Sequence, residues 1–268
     1  MSSPGPQPEL GVVGLGRMAQ ALLLPLLESG QVSRERVRAA VASAASAERL
    51  AAAHSLAVDT DAAPAWRAPV VLLAVKPQQL DGVAAAVPEG CSGLLISVLA
   101  GVTLERLQRL LPAWRCVRAV PNTPALVRQG LTGLACADSV TPAERDWVQG
   151  LFRQVGKVVE LPEPQLDAFL ALTSSGPAFL AVVAEAMADG AVAAGLPRAL
   201  AHRLAHRTLA GTAALLQEQE LHPAALKDMV SSPGGTTIAG LRALERTGLR
   251  SALIEAVVAA AERSRELA

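Results

Sequence analysis

The chain has 268 residues, and its 24 Lys and Arg balance 24 Asp and Glu. This length accommodates one large domain or two ordinary ones, and a hydrophobic fraction of 51% provides a sizeable core. The neutral charge and the scarcity of aromatic residues argue against nucleic-acid binding, which uses a basic surface and often stacking aromatics. Charges or turn residues interrupt every apolar run before the roughly 18 residues of a membrane span, so we expect no membrane partner.

The first ten residues, M-S-S-P-G-P-Q-P-E-L, are rich in proline and contain no basic residue. This composition fits neither a secretory signal nor an Arg-rich transit peptide. We therefore expect residues 1–8 to be a disordered lead and the protein to be cytoplasmic. Cys91, Cys116 and Cys136 match no zinc or disulfide spacing, which favours reduced thiols.

A glycine-rich segment follows the first apolar run, Leu10–Val13, and precedes a helical pattern. Its spacing is G-x-G-x-x-A, which predicts a strand, a tight turn and a helix. Gly14 permits the turn, Gly16 lets a pyrophosphate approach the backbone, and Ala19 lets the helix pack closely on the strand. We therefore predict a dinucleotide site formed by Gly14, Leu15, Gly16, Arg17, Met18 and Ala19.

The type of dinucleotide depends on the end of the second predicted strand, Val37–Ser43. A site specific for NAD places a carboxylate there to bind the ribose hydroxyls, but the next acidic residue is Glu48. Ser43 and Ser46 offer hydroxyl groups instead. This pattern favours binding of the 2′-phosphate of NADPH, with NADH as the alternative. Arg49 follows slightly later, and taken by itself it is more typical of a solvated surface residue than of a cofactor ligand.

Strand and helix patterns alternate through about residue 162. Further strands are predicted at Val70–Val75, Leu94–Leu99, Cys116–Val120, Leu131–Ala137 and Lys157–Leu161, with helices at Gln79–Val87 and Pro142–Gln154 and another capped by Thr103. Such alternation is typical of an α/β fold with a doubly wound, Rossmann-type sheet, which we assign to residues 9–163.

Residues 164–268 contain only helical patterns, many of them apolar on nearly every face. Helices of this kind are buried, and a region of this size cannot bury them alone. We therefore predict an all-α dimerisation domain. His202 and His206 lie four residues apart but have no acidic third ligand nearby, so we predict no metal site.

The turn Val230–Thr237, V-S-S-P-G-G-T-T, interrupts the helical region. Pro233 and the two glycines end one helix, and we expect Thr236 and Thr237 to cap the next. Free backbone N–H groups and the helix dipole favour an anion at such a turn. An ordinary capped turn is the alternative interpretation.

Taken together, six segments resemble the pyrroline-5-carboxylate reductases. They occur in the order of that family and are distributed over nearly the whole chain: G-L-G-R-M-A, A-V-K-P-Q, S-V-L-A-G-V, V-P-N-T-P-A-L-V, S-S-G-P-A-F and D-M-V-S-S-P-G-G-T-T. The last is close to the family signature, and the wording of the chain resembles the short, cytosolic animal form. Ser174 stands where the family usually has glycine.

The resemblance implies NAD(P)H-dependent reduction of 1-pyrroline-5-carboxylate to L-proline. It implies a substrate site at Ser175, Ser232, Gly234, Gly235, Thr236 and Thr237. Thr237 is the implied catalytic donor to the ring nitrogen. The nicotinamide end of the cofactor site is implied at Val75, Lys76, Pro77, Ala100, Pro121, Asn122 and Thr123. The family also implies a decamer of five dimers, with the substrate turn reaching the nicotinamide across the dimer interface.

Two other functions fit the same two-part layout. One is another imine or β-hydroxyacid reductase. Such reductases typically use a lysine on a C-terminal helix as acid or base, and no lysine occurs between Lys157 and Lys227. The other is a catalytically silent nucleotide-binding scaffold, which would not need the hydroxyl groups and glycines of the turn.

Overall fold

The computed structural model describes residues 10–267, so the lead predicted for residues 1–8 lies outside the described residues. The chain divides into two compact units. The first contains the residues up to Ser174 together with those from Ala261 onward, and the second contains Ser175–Ala260. The chain therefore passes from one unit to the other twice.

The first unit is built on one sheet. Within residues 10–267 its strands are β1 Leu10–Val13, β2 Val37–Ala40, β3 Ala57–Asp59, β4 Val70–Leu73, β5 Gly93–Ser97, β6 Trp114–Pro121, β7 Gly130–Cys136 and β8 Gly156–Glu160. Their spatial order is β3-β2-β1-β4-β5-β6-β7-β8. The first six are mutually parallel, whereas β7 runs antiparallel to β6 and parallel to β8. This order is that of a doubly wound Rossmann-type sheet, so the predicted fold class is confirmed.

Helices pack on both faces of the sheet. Those of the first unit are α1 Arg17–Glu28, α2 Ala44–His54, α3 Ala63–Trp66, α4 Leu80–Ala85, α5 Leu104–Leu110, α6 Pro142–Arg153 and α7 Leu166–Thr173. Two separate apolar clusters result, one containing residues of α1 and α6 and the other residues of α3 and α5. Because parallel strands are covered on both faces, β4 consists of apolar residues alone.

The second unit is helical. It contains α8 Gly176–Ala193, α9 Arg198–Glu218, α10 Pro223–Met229, α11 Thr236–Arg246 and most of α12 Leu249–Glu266. Its own buried cluster is small, with Ala188, Ala201 and Ala205 at its centre. Many large apolar side chains remain exposed in the single chain, among them Leu180, Val182, Met187, Ile254 and Val258.

Among the described residues, Glu163–Ala193 is long and apolar enough to cross a membrane by length and composition, and 17% of its apolar window is buried. The stretch comprises α7 and α8, which are separated at Ser174 and Ser175. A helix that packs against a second copy of the chain presents the same kind of surface. The expected absence of a membrane partner stays a prediction.

The predicted elements of the first unit differ from the structure in some details. The short elements β3 and α3 were not predicted, because three or four residues do not complete a recognisable period. Some predicted strands also extend up to three residues beyond the observed C-terminal end of the strand, and Val70–Val75 is one of them. There the pairing stops at Leu73, and the next residues turn into the loop that follows the strand.

The three cysteines are free thiols. Cys116 is fully buried in β6, and burial raises the pKa of its thiol to about 12. Burial also raises the pKa of the Cys136 thiol to about 11. These two groups are therefore protonated at neutral pH and poor nucleophiles.

Candidate active site

A cavity of about 850 Å³ lies at the carboxyl ends of β1, β2 and β4. This edge of an open α/β sheet is where ligands bind. Of the residues predicted to bind a cofactor, the cavity is lined by Gly14, Leu15, Gly16, Arg17, Ser46, Val75 and Lys76.

The two glycines of the first turn have different structural roles. Gly14 has φ +95°, and a Cβ there would lie 2.7 Å from backbone atoms of Ala74 and Val75. Only glycine fits this close approach between the β1 turn and the end of β4. Around Gly16 a Cβ would meet no atom within 4 Å, so the backbone faces open space.

That open space lies at the N-terminus of α1, for which Gly16 is the N-cap residue. The first N–H groups of a helix have no partner within the helix, and the dipole favours negative charge there. Ala19, one turn further, is fully buried, as close packing of helix on strand requires. The residues present therefore fit the pyrophosphate of a dinucleotide.

The cavity lining contains cations and hydroxyl groups. The lining residues include Arg17, Arg49 and Lys76, and no Asp or Glu. Ser43 is the N-cap residue of α2 and accepts a hydrogen bond from the Ser46 backbone at 3.4 Å. Arg49 is exposed, as expected, and it also lines the cavity, together with Thr60 and Gln20, which sequence reasoning missed.

The remaining residues predicted to bind the cofactor do not line this cavity: Met18, Ala19, Ser43, Pro77, Ala100, Pro121, Asn122 and Thr123. Met18 packs against the apolar cluster under α1. Ala100 and Thr123 are exposed, each in a loop that follows a strand of the same sheet. They stay predictions for the nicotinamide end of the site.

Asn122 is instead held by the backbone of two other segments. Its Nδ2 donates to the carbonyl of Thr173 at 2.9 Å, and its Oδ1 accepts from the N–H of Leu131 at 2.8 Å. Ser174 Oγ donates to the carbonyl of Pro121 at 3.4 Å. The buried Asn122 amide thus joins the loop after β6 to the end of α7.

We expect Asn122→Ala to lower the free energy of unfolding by about 2–4 kcal/mol, because it leaves the Leu131 N–H and the Thr173 carbonyl without their partner. Denaturant unfolding followed by circular dichroism measures this loss. Gln129→Ala, on an exposed residue of the same loop, is the matched control. A loss no larger than that of the control would contradict the clamping role.

The turn between α10 and α11 belongs to the second unit. Gly235 is the N-cap residue of α11, with extended φ −79° and ψ 175°, and it makes no side-chain cap. The prediction that Thr236 and Thr237 cap this helix is therefore wrong. Both threonines already lie in its first turn, because the extended Gly235 starts the helix one residue earlier.

The local geometry of the turn favours glycine at both Gly234 and Gly235. Gly234 has φ +67°, a conformation that favours glycine, and open space around its Cα. A Cβ on Gly235 would lie 2.4 Å from Ser232 Oγ. The Ser232 hydroxyl therefore folds over the N-terminus of α11, and the Gly235 N–H donates to the Ser232 carbonyl at 3.0 Å.

The hydroxyl groups at this turn are mostly unpaired. Ser231 Oγ donates to the carbonyl of Lys227 at 2.6 Å. Within residues 10–267, no hydrogen-bond partner is found for the hydroxyls of Ser232, Thr236 or Thr237. Together with the first N–H groups of α11, they form a donor cluster suited to a small carboxylate.

A cavity of about 480 Å³ adjoins the turn, between the end of α10 and one face of α11. Gly234 and Gly235 line it, whereas Ser232, Thr236 and Thr237 do not. Its charged lining residues are Lys227, Asp228, Arg242 and Glu245, two of each sign. Ser175, the remaining predicted substrate residue, is the half-buried N-cap residue of α8.

Residues 10–267 contain no group of three or more His, Cys, Asp or Glu side chains that could hold a metal ion. The rings of His202 and His206 lie 6.3 Å apart on α9. Asp189, an acidic residue of α8, forms an ion pair with Arg198 at 2.6 Å.

Comparisons with known proteins match both parts of the chain. Residues 163–267 match a model described as pyrroline-5-carboxylate reductase dimerisation. Residues 9–101 match a model described as NADP oxidoreductase, coenzyme F420-dependent. The chain is 46% identical to a pyrroline-5-carboxylate reductase of a Synechocystis species, over 97% of this chain and 98% of that protein. The chain belongs to the pyrroline-5-carboxylate reductase family.

The chain is also similar to other members of the pyrroline-5-carboxylate reductase family. The chain is 40% identical to pyrroline-5-carboxylate reductase 3 of Macaca fascicularis, over 96% of this chain and 95% of that protein. Its fold matches the Plasmodium falciparum pyrroline carboxylate reductase crystallised with NADP, with a TM-score of 0.86, 27% identity and 97% coverage of each chain. The predicted family, the oxidoreductase class and the use of NAD(P)H are thereby confirmed.

Family membership also accounts for the exposed apolar helices. They lie in the region that matches the dimerisation model. The predicted self-association is therefore confirmed.

Proposed function

We propose that this protein reduces the C=N bond of 1-pyrroline-5-carboxylate to give L-proline, the final step of proline biosynthesis, with NADPH as the preferred cofactor. The observation that carries the proposal is the donor cluster of residues 232–237, in which Ser232, Thr236 and Thr237 supply the hydroxyls and α11 supplies its first N–H groups. Its glycines have defined backbone roles, and its hydroxyls have no partner among the described residues. The family relatives named above support the same reaction.

The nucleotide cavity holds the cofactor in this proposal. Gly16 and the N-terminus of α1 receive the pyrophosphate, and Lys76 lines the same cavity from the loop after β4. The cofactor supplies a hydride for C5 of the substrate. The protein's own part is to orient the nucleotide and to balance its negative charge with Arg17, Arg49 and Lys76.

The turn holds the substrate. The N–H groups of Thr236 and Thr237 and the Ser232 hydroxyl bind the carboxylate, which fixes the direction of the ring. The Thr237 hydroxyl, able to donate and to accept, bonds the ring nitrogen. When C5 of the protonated imine accepts the hydride, the ring nitrogen becomes a neutral amine. This step therefore needs no general base.

The direct test is to mix the purified protein with 1-pyrroline-5-carboxylate and NADPH or NADH, and to follow the loss of reduced-nicotinamide absorbance. Proline should appear in equal amount. No oxidation above background with either cofactor would exclude the reductase and favour a silent scaffold. Oxidation of a β-hydroxyacid with NADP⁺, without imine reduction, would favour the rival reductase.

Cofactor preference is tested at Ser46, which lines the cavity in the first turn of α2. Ser46→Asp is expected to raise KM for NADPH by roughly tenfold or more, because a carboxylate repels the 2′-phosphate. KM for NADH should change little. A carboxylate in the first turn also suits the helix dipole, so the fold should be retained.

Ser46→Ala is the control for Ser46→Asp, since it removes the hydroxyl without adding charge. Initial rates at varied NADPH and NADH give the ratio of kcat/KM for the two cofactors. An unchanged ratio in Ser46→Asp would show that the 2′-phosphate does not bind beside α2.

The proposed assembly is a decamer of five dimers, with the helical regions forming each dimer. Light scattering should then give about ten times the 27.6 kDa chain mass. A mass of two chains would limit the assembly to the dimer, and a monomer with full activity would contradict the need for self-association.

A further inference from the structure

Arg118 is a buried cation in β6, with only 2% of its surface exposed. Its Nη1 donates to Glu163 Oε1 at 3.0 Å, and its Nη2 lies 3.7 Å from Asp167 Oδ1. A buried guanidinium without partners is strongly unfavourable, so these two carboxylates are a condition for its burial. By contacting Glu163 and Asp167, Arg118 connects the sheet to the turn before α7 and to the start of α7.

Each carboxylate also bonds a more distant segment. Glu163 Oε1 accepts from the N–H of Leu104, the first residue of α5, at 2.8 Å. Asp167 Oδ1 accepts from Ser264 Oγ, near the end of α12, at 2.7 Å. Ser264 is itself 5% exposed. Arg118 is thus the centre of a network that joins the start of α5 to the end of α12.

Leu267, the residue directly after α12, lies against the loop between β5 and α5, residues 98–103. A Cβ on Gly101 would lie 2.8 Å from the Leu267 carbonyl oxygen, and Gly101 has φ +69°. Leu99, Gly101 and Val102 are buried, whereas Ala100 between them is exposed. The loop therefore packs against Leu267 and exposes Ala100.

We propose that the end of α12, held by the Arg118–Asp167–Ser264 network, positions the 98–103 loop for the cofactor and thereby sets NADPH affinity. Ser264 is a positioning residue, because it touches neither ligand and acts through Asp167 and the loop. This inference rests on the proposed function and on the prediction from the family resemblance that Ala100 borders the nicotinamide end of the cofactor.

The first test is Ser264→Ala, which removes the hydroxyl but keeps the helix. KM for NADPH is expected to rise roughly threefold to tenfold, while kcat at saturating NADPH stays within about twofold of wild type. Ser264→Thr retains a hydroxyl and should restore KM. Ser92→Ala, in an exposed loop of the same unit, is the control.

The second test uses two glycines with similar left-handed backbones. Gly101→Ala brings a methyl group onto the Leu267 carbonyl, whereas Gly90→Ala, at φ +78°, meets no atom within 4 Å. Both carry the conformational cost of a left-handed residue. Only Gly101→Ala should raise KM for NADPH, by roughly tenfold.

Melting temperatures and direct NADPH titration of the same variants separate the outcomes. If Ser264→Ala and Gly101→Ala lower the melting temperature but leave NADPH affinity unchanged, the network is purely structural and the inference is wrong. If the wild-type protein binds NADPH but does not reduce 1-pyrroline-5-carboxylate, the proposed function fails, and the titrations still decide the role of α12.

Discussion

Replacing Thr237 by valine is expected to lower kcat for imine reduction by about a hundredfold, the usual effect of removing one hydrogen-bonding group aimed at the reacting atoms. Valine has nearly the shape of threonine and keeps the backbone N–H. The carboxylate cradle therefore stays intact, and KM for the substrate should change by no more than about threefold. The half-buried Thr237 Oγ has no partner among the described residues, so no structural hydrogen bond is lost with it.

Thr237→Ser is the matched variant, since it restores the hydroxyl at the same position. It should recover most of the lost turnover. Steady-state rates and an NADPH titration together check the assignment, because the nucleotide cavity belongs to the other unit. A Thr237→Val variant that bound NADPH more weakly but turned over normally would show that Thr237 is not the group at the ring nitrogen.

The parts of the fold that could be predicted are those set by local pattern. The spacing G-x-G-x-x-A was enough to predict a turn between a strand and a helix, although it did not reveal the close approach of Gly14 to Ala74 and Val75. The glycine turn also predicted that a new helix starts after it, and α11 begins there at Thr236. Predictions of this kind need no knowledge of distant residues.

The missed features depend on residues far apart in the chain. Asn122 was predicted to border the cofactor, and nothing local indicates that its amide bonds Thr173, 51 residues away. Ser264 and Asp167 are separated by 97 residues. The cap at Gly235 was missed for a different reason. The choice between Gly235 and Thr236 depends on one pair of backbone angles, and both residue types are good N-caps.

The two glycines of the nucleotide turn should respond differently to one added methyl group. Gly14→Ala is expected to destabilise the fold by about 3 kcal/mol or more, because it adds left-handed strain to a collision with backbone atoms. NADPH binding should be lost with it, since β1 and the end of β4 must separate to make room. Gly30→Ala, at φ +72° with no atom within 4 Å of the added carbon, measures the strain alone.

Gly16→Ala should leave the fold nearly unchanged, within about 1 kcal/mol, because the residue has an ordinary φ of −79° and open space around it. The methyl group nevertheless occupies the space proposed for the pyrophosphate. The dissociation constant for NADPH should therefore rise by about a hundredfold or more, in line with the few kcal/mol that overpacking a filled site costs. Denaturant unfolding of the free protein and NADPH titration test both variants. If Gly16→Ala bound NADPH as tightly as wild type, the pyrophosphate could not lie against this turn, and the cofactor would have to enter the cavity in another orientation.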